Sequence, residues 1–380
     1  MKRVAIIGYG TRMRTVVKEL LRTGQVQIVA VADPNEEGAR KSAQKNGVED
    51  CRFYSNAEEM LEKEQLDGVC IGTRCSLHTK YALLAASKKI PMYLEKPVCT
   101  TYEDLEKLKG ILDWSEKTVV SFPLRLTPLV AHIKEILDSG KIGEIAHVQA
   151  YNNVHYARGY YHKWYRDEGE TGGLFLQKAT HDIDYINYLL GGIKPTSVCA
   201  MKSKQVFKGN KPAGLKCRDC DERERCPESP QNVQKLQDGT VPGEYCCFAV
   251  DTGNEDSGSM LVQYENGMHV VYSQNFIVRA NAGGRGARLI GYLGTLEFDF
   301  RTGVVTLHHH TEKVTETYTF QDEKSTHFGG DAMLAQNFVR VMQGLEFSAS
   351  TLAHGINSAE ICLGARESAQ THRFVSLSPV

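Results

Sequence analysis

The sequence lacks long apolar runs, an excess of charge of either sign and any enrichment in proline or aromatic residues. No apolar stretch approaches the roughly 18 residues of a membrane span. Lys and Arg number 45 against 46 Asp and Glu, so the formal net charge is −1, and only 11 of 380 residues are proline. Nucleic acid and membrane surfaces are therefore poor candidate partners. Because 41% of the residues are hydrophobic, a largely disordered or collagen-like chain is excluded.

The first residues of the sequence do not predict a secretory signal. Only four apolar residues, 4–7, precede Gly8, whereas a signal has an apolar stretch of about 7–15 residues. We therefore expect a cytoplasmic protein whose 11 cysteines are mostly reduced. At roughly 150 residues per domain, the length predicts two domains.

The first third of the chain alternates apolar strands with helical patterns. Short, nearly continuous apolar strands separated by helices indicate a parallel sheet that is buried on both faces. We place the end of this domain at residue 122. The predicted strands are 4–7, 26–32, 68–71, 91–94 and 118–121, and the predicted helices are 14–21, 36–46, 56–63, 77–87 and 102–114.

A glycine-rich turn follows the first strand and opens the first helix, which is the context of a dinucleotide-binding fingerprint. Gly8 permits the tight turn, and Gly10 lets the backbone approach a pyrophosphate, which the helix amides and macrodipole favour. Thr11 and Arg12 are further candidate contacts. The third glycine position holds Met13, so helix–strand packing must differ there. Taken alone, the pattern also fits an ordinary tight turn.

Asp33 ends the second strand, 23 residues after Gly10. A carboxylate there can accept both ribose hydroxyls of an adenosine. It also repels a 2′-phosphate, and no Arg or Lys follows at once, so NAD is the expected cofactor and NADP is disfavoured. The alternative is an acidic turn starter before Pro34.

The segment 91–97, Pro-Met-Tyr-Leu-Glu-Lys-Pro, places Glu95 and Lys96 at the carboxyl end of a strand, the edge where ligands bind in open α/β sheets. Together with the Gly turn, Asp33 and His78, it resembles the glucose–fructose oxidoreductase / inositol dehydrogenase (Gfo/Idh/MocA) family. The similarity continues through Gly-Lys-Ile-Gly-Glu-Ile at 140–145 and the segment 172–184. It therefore covers almost the whole chain.

The resemblance implies an NAD-binding Rossmann domain at 1–122 with a doubly wound parallel sheet. An α+β domain with a large, open, mostly antiparallel sheet then covers 123–380, and a cysteine-containing insertion interrupts it at about 202–247. The family implies a carbohydrate substrate and a homodimer or homotetramer. Thr73, His78, Glu95 and Lys96 complete the expected cofactor contacts.

Lys96 is the first candidate catalytic residue. A Lys beside an oxidised nicotinamide lies near a positive ring, which disfavours its protonated form, and it can hydrogen-bond a hydroxyl and stabilise a developing alkoxide. Pro97 is a candidate for a cis bond, although trans is the default.

The segment after residue 173 is predicted to be a helix with Gln177, Lys178, His181 and Asp184 on one face, because they are spaced by three and four. Family dehydrogenases pair an Asp with a His four residues later. His181 matches that His and is the expected general base, but Gln177 stands at the Asp position and cannot accept a proton. Lys178 would depress the pKa of His181 and act as an electrostatic or substrate contact. The alternative is a surface helix of mixed polar residues.

An aromatic segment lies just before this helix. Tyr161, Trp164 and Arg166 are candidate substrate-binding residues, because aromatic faces stack on sugar rings and polar tips bind hydroxyls. A packed loop is an equally good explanation.

The insertion contains a cysteine cluster. Cys217 and Cys220 form C-x₂-C, Cys226 follows, and Cys246 or Cys247 can be the fourth member. A tetrahedral Cys₄ zinc site, with Cys246 as the chosen fourth ligand, would stabilise a loop too polar to fold alone. Unligated or oxidised cysteines and an iron–sulfur cluster remain alternatives.

The sequence is compatible with three functions. The first is an NAD-dependent oxidoreductase that transfers a hydride between a sugar, glycoside or polyol carbon and nicotinamide. The second, known from relatives, is a glycosidase that works by transient oxidation and elimination. The third is a non-catalytic NAD-binding regulator.

Overall fold

The computed structural model of the chain describes residues 1–234, 243–320 and 326–380. The first elements are β1 (Lys2–Ile7), α1 (Thr11–Arg22), β2 (Val26–Ala32), α2 (Glu36–Lys45), β3 (Arg52–Tyr54), α3 (Ala57–Lys63), β4 (Gly68–Ile71), α4 (His78–Ser87), β5 (Met92–Leu94), α5 (Tyr102–Lys109), β6 (Thr118–Val120) and α6 (Pro128–Asp138). They are followed by β7 (Ile145–Asn153), α7 (Gly159–His162), α8 (Glu168–Thr171), α9 (Thr180–Leu189), β8 (Pro195–Ser203), α10 (Pro230–Gln234), β9 (Ser257–Tyr264), β10 (His269–Asn275), β11 (Gly284–Gly291), β12 (Gly294–Asp299), β13 (Val304–His309), β14 (Thr315–Thr319), α11 (Gly330–Gln343), α12 (Leu352–Thr371) and β15 (Val375–Ser376).

Contacts divide the chain into two compact units. The first unit takes Met1–Ala131, the described part of Asp322–Glu360 and Val380, and the second takes the described part of His132–Gln321 together with Ile361–Pro379. The sequence placed a single boundary at residue 122. The contacts also group a late segment of the chain with the first unit, and the boundary at residue 122 stays a prediction.

The first unit contains a parallel sheet with strand order β3-β2-β1-β4-β5-β6, which is the doubly wound Rossmann order. Each pairing is parallel. Strands β4, β5 and β6 are buried throughout, as their near-continuous apolar sequences predict. The predicted fold of the first domain is confirmed.

Strand β3 was not predicted from the sequence. It has three residues, and only Arg52 of these is exposed while the other two are half-buried. A three-residue strand at the edge of a sheet carries too little periodicity to be recognised.

Helix α11 completes the apolar core of the first unit. Its Leu334, Phe338 and Met342 join the core that β1 and α1 form. The ring of Phe338 lies edge-on to that of Tyr93, with centroids 5.9 Å apart. The sulfur of Met342 occupies the space beside Gly68, where a Cβ would come within 2.4 Å of it.

The second unit is built on a sheet whose described strands run in the order β14-β13-β12-β11-β7-β10-β9-β8-β15. Its pairings are antiparallel except for β7 with β10. Alternate residues of β9 are buried, as expected for an antiparallel strand with one covered face. The predicted large, mostly antiparallel sheet is confirmed.

The predicted insertion lies between β8 and β9. Its described residues form little regular structure apart from a 3₁₀ turn at Cys217–Asp219 and the short helix α10. Over the parts of the chain described above, no helix is long and apolar enough to cross a membrane.

Candidate active site

The glycine-rich turn joins β1 to α1 at the carboxyl edge of the parallel sheet. Gly8 has φ +82°, and a Cβ on it would lie 2.7 Å from the carbonyl oxygen of Gly72. Both the backbone conformation and the close approach therefore require glycine here.

Gly10 is the N-cap residue of α1, and no side chain caps this helix end. A Cβ on Gly10 would have no atom within 4 Å, so the backbone borders open space there. Free amides at the start of a 12-residue helix, beside an open cradle, suit a pyrophosphate. These residues fit a dinucleotide.

Met13 fills the place that a third glycine has in the usual fingerprint. It is fully buried, and its side chain occupies the space beside Gly72, where a Cβ would meet the Met13 methyl carbon at 2.6 Å. The glycine that allows α1 to pack closely against the sheet is thus Gly72, which directly follows β4, and not a residue of α1.

Asp33 links the end of β2 to this turn. Its Oδ2 accepts a hydrogen bond from the backbone amide of Tyr9 at 2.8 Å, and its Oδ1 accepts one from the amide of Asn35 at 2.9 Å. Asp33 therefore also starts the turn, as the alternative interpretation suggested. A carboxylate has about four lone-pair sites, so acceptor capacity remains for ribose hydroxyls.

Lys96 follows the carboxyl end of β5, and the Lys96–Pro97 peptide bond is cis. His78, at the start of α4, donates from Nδ1 to the carbonyl oxygen of Pro97 at 2.7 Å. Burial, the largest effect, lowers the pKa of His78, against a smaller raising effect of that hydrogen bond. His78 thus supports the Lys96 loop through Nδ1, and its predicted contact with the cofactor stays a prediction.

Arg12 was predicted to contact the cofactor together with Glu95. Its guanidinium binds Glu95 through Nε at 2.9 Å, Asp331 through Nη1 at 3.0 Å and the hydroxyl of Ser121 through Nη2 at 3.0 Å. Desolvation lowers the pKa of Arg12, but the charges of Glu95, Tyr93 and Asp331 and the hydrogen bond to Asp331 outweigh it and raise that pKa. Both residues thus belong to an ion network inside the first unit, and their contact with the cofactor stays a prediction.

Thr11 and Thr73 also lie at this edge. Thr11 is exposed at the first position of α1, where its hydroxyl accepts a hydrogen bond from Arg14. Thr73 is half-buried and donates to the carbonyl oxygen of Arg74 at 3.1 Å.

In the second unit, the predicted substrate helix begins with a π-helical turn at Phe175–Ala179 and continues as α9. Gln177, Lys178, His181 and Asp184 are all buried, so the surface-helix alternative is wrong. The one-face prediction assumed α-helical spacing. The π turn widens the spacing at Gln177 and Lys178, and such turns are frequent at functional sites.

Asp182 was not assigned a role from the sequence. Its Oδ2 accepts hydrogen bonds from Asn152 Nδ2 and the hydroxyl of Tyr272, both at 2.8 Å, and its Oδ1 accepts one from Arg285 Nε at 2.6 Å. These partners lie on β7, β10 and β11, so Asp182 fixes α9 on the sheet. Since its partners are distant in sequence, no local pattern indicates this role.

The predicted aromatic segment is largely a packed region. Tyr161 is buried, its ring packs on Phe207 with centroids 4.1 Å apart, and its hydroxyl donates to the carbonyl oxygen of Glu255. Arg166 is buried and binds Asp251 at 2.5 Å. Trp164 is half-buried, and its ring stacks on that of Tyr165 with centroids 3.9 Å apart. Of the three predicted substrate-binding residues of this segment, Trp164 is therefore the most accessible.

Backbone pairing brings two of the predicted metal ligands side by side. The backbone amide of Cys217 donates a hydrogen bond to the carbonyl oxygen of Glu244 at 2.7 Å. The backbone amide of Cys246 donates one to the carbonyl oxygen of Leu215 at 2.8 Å. The 3₁₀ turn that begins at Cys217 leads to Cys220. All of these cysteines, and Cys226, are free thiols.

Among the described residues, a different group has its potential ligand atoms within 4.8 Å of one another: His162, Glu228 and Cys247. His162 Nε2 is buried there without a hydrogen-bond partner. However, both oxygens of Glu228 already bind guanidinium groups, from Arg158 at 2.9 Å and Arg279 at 3.0 Å. A divalent cation would add charge beside two cations, so this cluster is better explained as a structural network.

The chain is similar to two models of one family. Residues 2–122 match the model described as "Oxidoreductase family, NAD-binding Rossmann fold", and residues 130–297 match the model described as "GFO/IDH/MocA C-terminal domain".

Individual relatives show the same similarity. A Bacillus subtilis protein designated oxidoreductase YteT is 26% identical over 317 residues, which is 74% of this chain and 73% of that protein. The scyllo-inositol 2-dehydrogenase (NAD(+)) of Bacillus subtilis is 28% identical over 204 residues, 50% of this chain and 54% of the relative's length. A solved structure of levoglucosan dehydrogenase in complex with NADH superposes with a TM-score of 0.79 at 17% identity and covers 100% of both chains, which shows a shared fold.

Proposed function

The chain belongs to the GFO/IDH/MocA oxidoreductase family, and from that premise we propose that it is an NAD-dependent dehydrogenase that oxidises a hydroxyl-bearing carbon of a sugar, glycoside or polyol. The observation that carries this proposal is the shared edge of the parallel sheet. The Gly8–Gly10 turn after β1, Asp33 after β2 and Lys96 after β5 all lie at the carboxyl ends of their strands. This edge is the ligand-binding edge of open α/β sheets.

Different residues of this edge bind different parts of the dinucleotide. The amides after Gly10 bind the pyrophosphate, and Asp33 accepts the ribose hydroxyls. When bound, NAD supplies the acceptor for the hydride. Lys96 hydrogen-bonds the reacting hydroxyl and stabilises the negative charge that develops on its oxygen.

The buried polar residues of the π turn and α9 bind the sugar. Gln177, Lys178, His181 and Asp184 offer amide, ammonium, imidazole and carboxylate groups, the types that recognise vicinal hydroxyls. Trp164 provides an aromatic face for a sugar ring. Dehydrogenases named for inositols and for levoglucosan among the similar proteins support this substrate class.

Binding and turnover test the proposal separately. Calorimetry with NAD and NADP should show tighter uptake of NAD. A panel of sugars, inositols and levoglucosan should then contain a compound that reduces NAD, measured by the absorbance of NADH. Uptake of neither coenzyme would refute the proposal.

A glycosidase that oxidises its substrate transiently is the second candidate function. Gln177 favours it, because the carboxylate of the family's dehydrogenases is replaced there by a group that cannot accept a proton. Release of nitrophenol from a nitrophenyl glycoside in the presence of NAD, without net NADH, would identify this activity.

We propose a structural zinc ion on Cys217, Cys220, Cys226 and Cys246 as a separate property of the insertion. The pairing of the segments that carry Cys217 and Cys246 supports it, as does the C-x₂-C spacing. The purified protein should contain about one zinc per chain, and C217S should lose it, whereas C199S outside the insertion should keep it. A metal-free native protein would contradict the proposal.

A further inference from the structure

The aromatic segment, residues 158–166, is bound by the chain that connects β8 to β9, the described part of residues 204–256. Asn254 of this connection is fully buried, and its Nδ2 donates hydrogen bonds to two backbone carbonyl oxygens of the segment. These are the carbonyl oxygens of Tyr160, at 2.9 Å, and of Tyr165, at 2.8 Å. One buried side chain thus fixes the backbone of the aromatic segment at two points.

Two buried arginines of the aromatic segment also bind the connection between β8 and β9. Arg158 is 2% exposed, and its Nε lies 2.9 Å from Oε2 of Glu228. Arg166 is 5% exposed, and its Nη2 donates to Oδ1 of Asp251 at 2.5 Å and to the hydroxyl oxygen of Thr252 at 2.8 Å. Because a buried charge that loses its partner is strongly destabilising, the connection fixes both ends of the segment.

Tyr245 of the insertion pairs with the middle of the aromatic segment. Its backbone amide donates a hydrogen bond to the carbonyl oxygen of His162 at 3.1 Å, and Nδ1 of His162 donates to the carbonyl oxygen of Tyr245 at 2.6 Å. Gly243 lets the two backbones come this close, because a Cβ on it would lie 2.0 Å from the carbonyl oxygen of His162. His162 is therefore held through its backbone and its ring at once.

The same Tyr245 belongs to the cysteine group of the insertion. It directly precedes Cys246 and forms an antiparallel bridge with Lys216, the residue before Cys217. The Sγ atom of Cys217 lies 3.6 Å from the carbonyl oxygen of Tyr245. Tyr245 thus joins the cysteine-bearing segments on one side to His162 on the other, so any group that links the cysteines also fixes the aromatic segment.

The connection between β8 and β9 reaches the π-helical turn as well. Glu255 is 3% exposed, and its Oε1 accepts a hydrogen bond at 3.2 Å from the amide of Leu174, the residue before the turn. Lys178 of the turn donates a hydrogen bond to the hydroxyl oxygen of Tyr156, and its Nζ lies 5.9 Å from the ring centroid of Tyr160 in the aromatic segment. The segment and the π turn therefore form one packed group inside the second unit.

We propose that the insertion is a positioning element for the sugar. An ion on its four cysteines fixes Tyr245, and Tyr245 fixes the aromatic segment in the arrangement that binds the sugar. This inference rests on the proposed function, which assigns a sugar ring to Trp164, and on the zinc site proposed for the insertion. Tyr245 and Asn254 act through the aromatic segment, whereas the proposed NAD-binding edge belongs to the first unit. Loss of the ion therefore weakens the binding of the sugar and spares that of NAD.

The first test leaves every cysteine in place. N254A removes both hydrogen bonds from Asn254 to the aromatic segment. It should raise the KM for the sugar that reduces NAD by about tenfold or more, with a smaller change in kcat and an unchanged calorimetric affinity for NAD. N266A is the matched control, because Asn266 is exposed on the turn between β9 and β10, and it should change none of these values.

The second test removes a cysteine. C217S should lose the zinc and raise the KM for the sugar as N254A does, whereas C199S on β8 should keep both the zinc and the KM. In the double variant C217S/N254A, the increase in KM should be smaller than the product of the two single increases, because both substitutions act through the same segment. Fully multiplicative effects would show that the cysteines do not act through the aromatic segment.

A third measurement uses the wild type and does not depend on how C217S folds. Coupling between two binding sites is reciprocal, so the sugar should increase the affinity for zinc. With NADH bound, which prevents turnover, the sugar should raise the concentration of a coloured chelator, 4-(2-pyridylazo)resorcinol, that removes half of the zinc. NADH alone should not raise it, and in N254A the effect of the sugar should be smaller.

The outcomes separate this inference from the proposed function. An unchanged KM for the sugar in either N254A or C217S, a chelator titration that the sugar does not shift, or a metal-free native protein would each overturn the inference while the dehydrogenase activity stands. If the wild type neither binds NAD nor reduces it with any sugar, the proposed function itself fails.

Discussion

The residues at the carboxyl edge of the parallel sheet are of two kinds. Some border open space, and others are hydrogen-bonded to neighbouring residues. Gly10 borders an open cradle, whereas Arg12 and His78 are bound to Glu95 and Pro97. The sequence predicted all of them as cofactor contacts, because it shows donors and acceptors but not which of them meet inside the fold. Asp33 binds the Gly-rich turn, and its carboxylate still has acceptor sites for the predicted ribose hydroxyls.

Lys96 carries the first prediction at this scale. Lys96→Ala should reduce turnover by at least about a hundredfold, because the alkoxide loses its nearby cation or hydrogen-bond donor. The affinity for NAD, measured by calorimetry, should change little. Lys41→Ala on the exposed face of α2 serves as the control, and a near-normal rate for Lys96→Ala would remove Lys96 from the mechanism.

Asp33 carries the second prediction, on coenzyme choice. Asp33→Asn keeps an acceptor for the amide of Tyr9 but removes the charge that repels a 2′-phosphate. The ratio of NAD to NADP affinity should fall by about tenfold or more, which corresponds to about 1.4 kcal/mol. Calorimetric titration with both coenzymes measures it, and an unchanged ratio would show that Asp33 acts only as a turn residue.

At the scale of elements, helices were predicted well and their irregularities were not. The helix pattern after residue 173 is clear in the sequence, but its first turn is π-helical. Helix α9 is then fixed by Asp182, whose partners come from three strands. Periodicity reports which residues share a face, but long-range hydrogen bonds decide how the turn is wound.

The ion network between α1 and α11 gives a prediction on stability and pH. Asp331 of α11 binds Arg12 of α1 and accepts a hydrogen bond from His327 Nδ1 at 2.9 Å. Burial alone would raise the pKa of Asp331, but His327 and Arg12 bring it well below its ordinary range. Asp331→Asn should therefore lower the free energy of unfolding by about 2 kcal/mol at neutral pH, because Arg12 and His327 lose their charge-assisted hydrogen bonds to the Asp331 carboxylate, while Arg12 keeps Glu95.

The pH dependence of this difference follows from its sign. A carboxyl group with a depressed pKa stabilises the folded state above the pKa of the unfolded chain, about 3.9 for Asp, and loses that contribution as pH falls further. Denaturant unfolding of wild type and Asp331→Asn should thus differ most above about pH 4 and converge in stronger acid. A difference that stays constant down to low pH would contradict the role of the Asp331 charge.

At the scale of the whole molecule, the first unit is assembled from two distant parts of the chain. Leu334, Phe338 and Met342 of α11 belong to the core of the parallel sheet. At about 2 kcal/mol for each buried side chain, they contribute about 6 kcal/mol, which is comparable with the total stability of a typical domain. The stability of the first unit therefore depends on α11, which comes from a late part of the chain.

A fragment experiment tests this dependence. Residues 1–131 alone should show no cooperative unfolding and no uptake of NAD, whereas co-expression with residues 322–360 should restore both. The same second fragment with Phe338→Asp is the control and should not restore them. A stable, NAD-binding 1–131 fragment would show that α11 is dispensable.

The predicted homo-oligomer and cytoplasmic location stay predictions.

The sequence alone determined the alternation of strands and helices, the Gly-rich turn, Asp33 and the Lys96 segment, because each depends on local residue types and their spacing. Only the tertiary structure decided that Arg12 binds Glu95, that His78 binds Pro97 and that Tyr161 binds Glu255. It likewise decided that α11 joins the first unit and that Lys178 meets Tyr156. These properties depend on contacts between residues far apart in the chain. Burial and charge balance, which arise only once those residues meet, decide whether a polar side chain is a support or a reactive group.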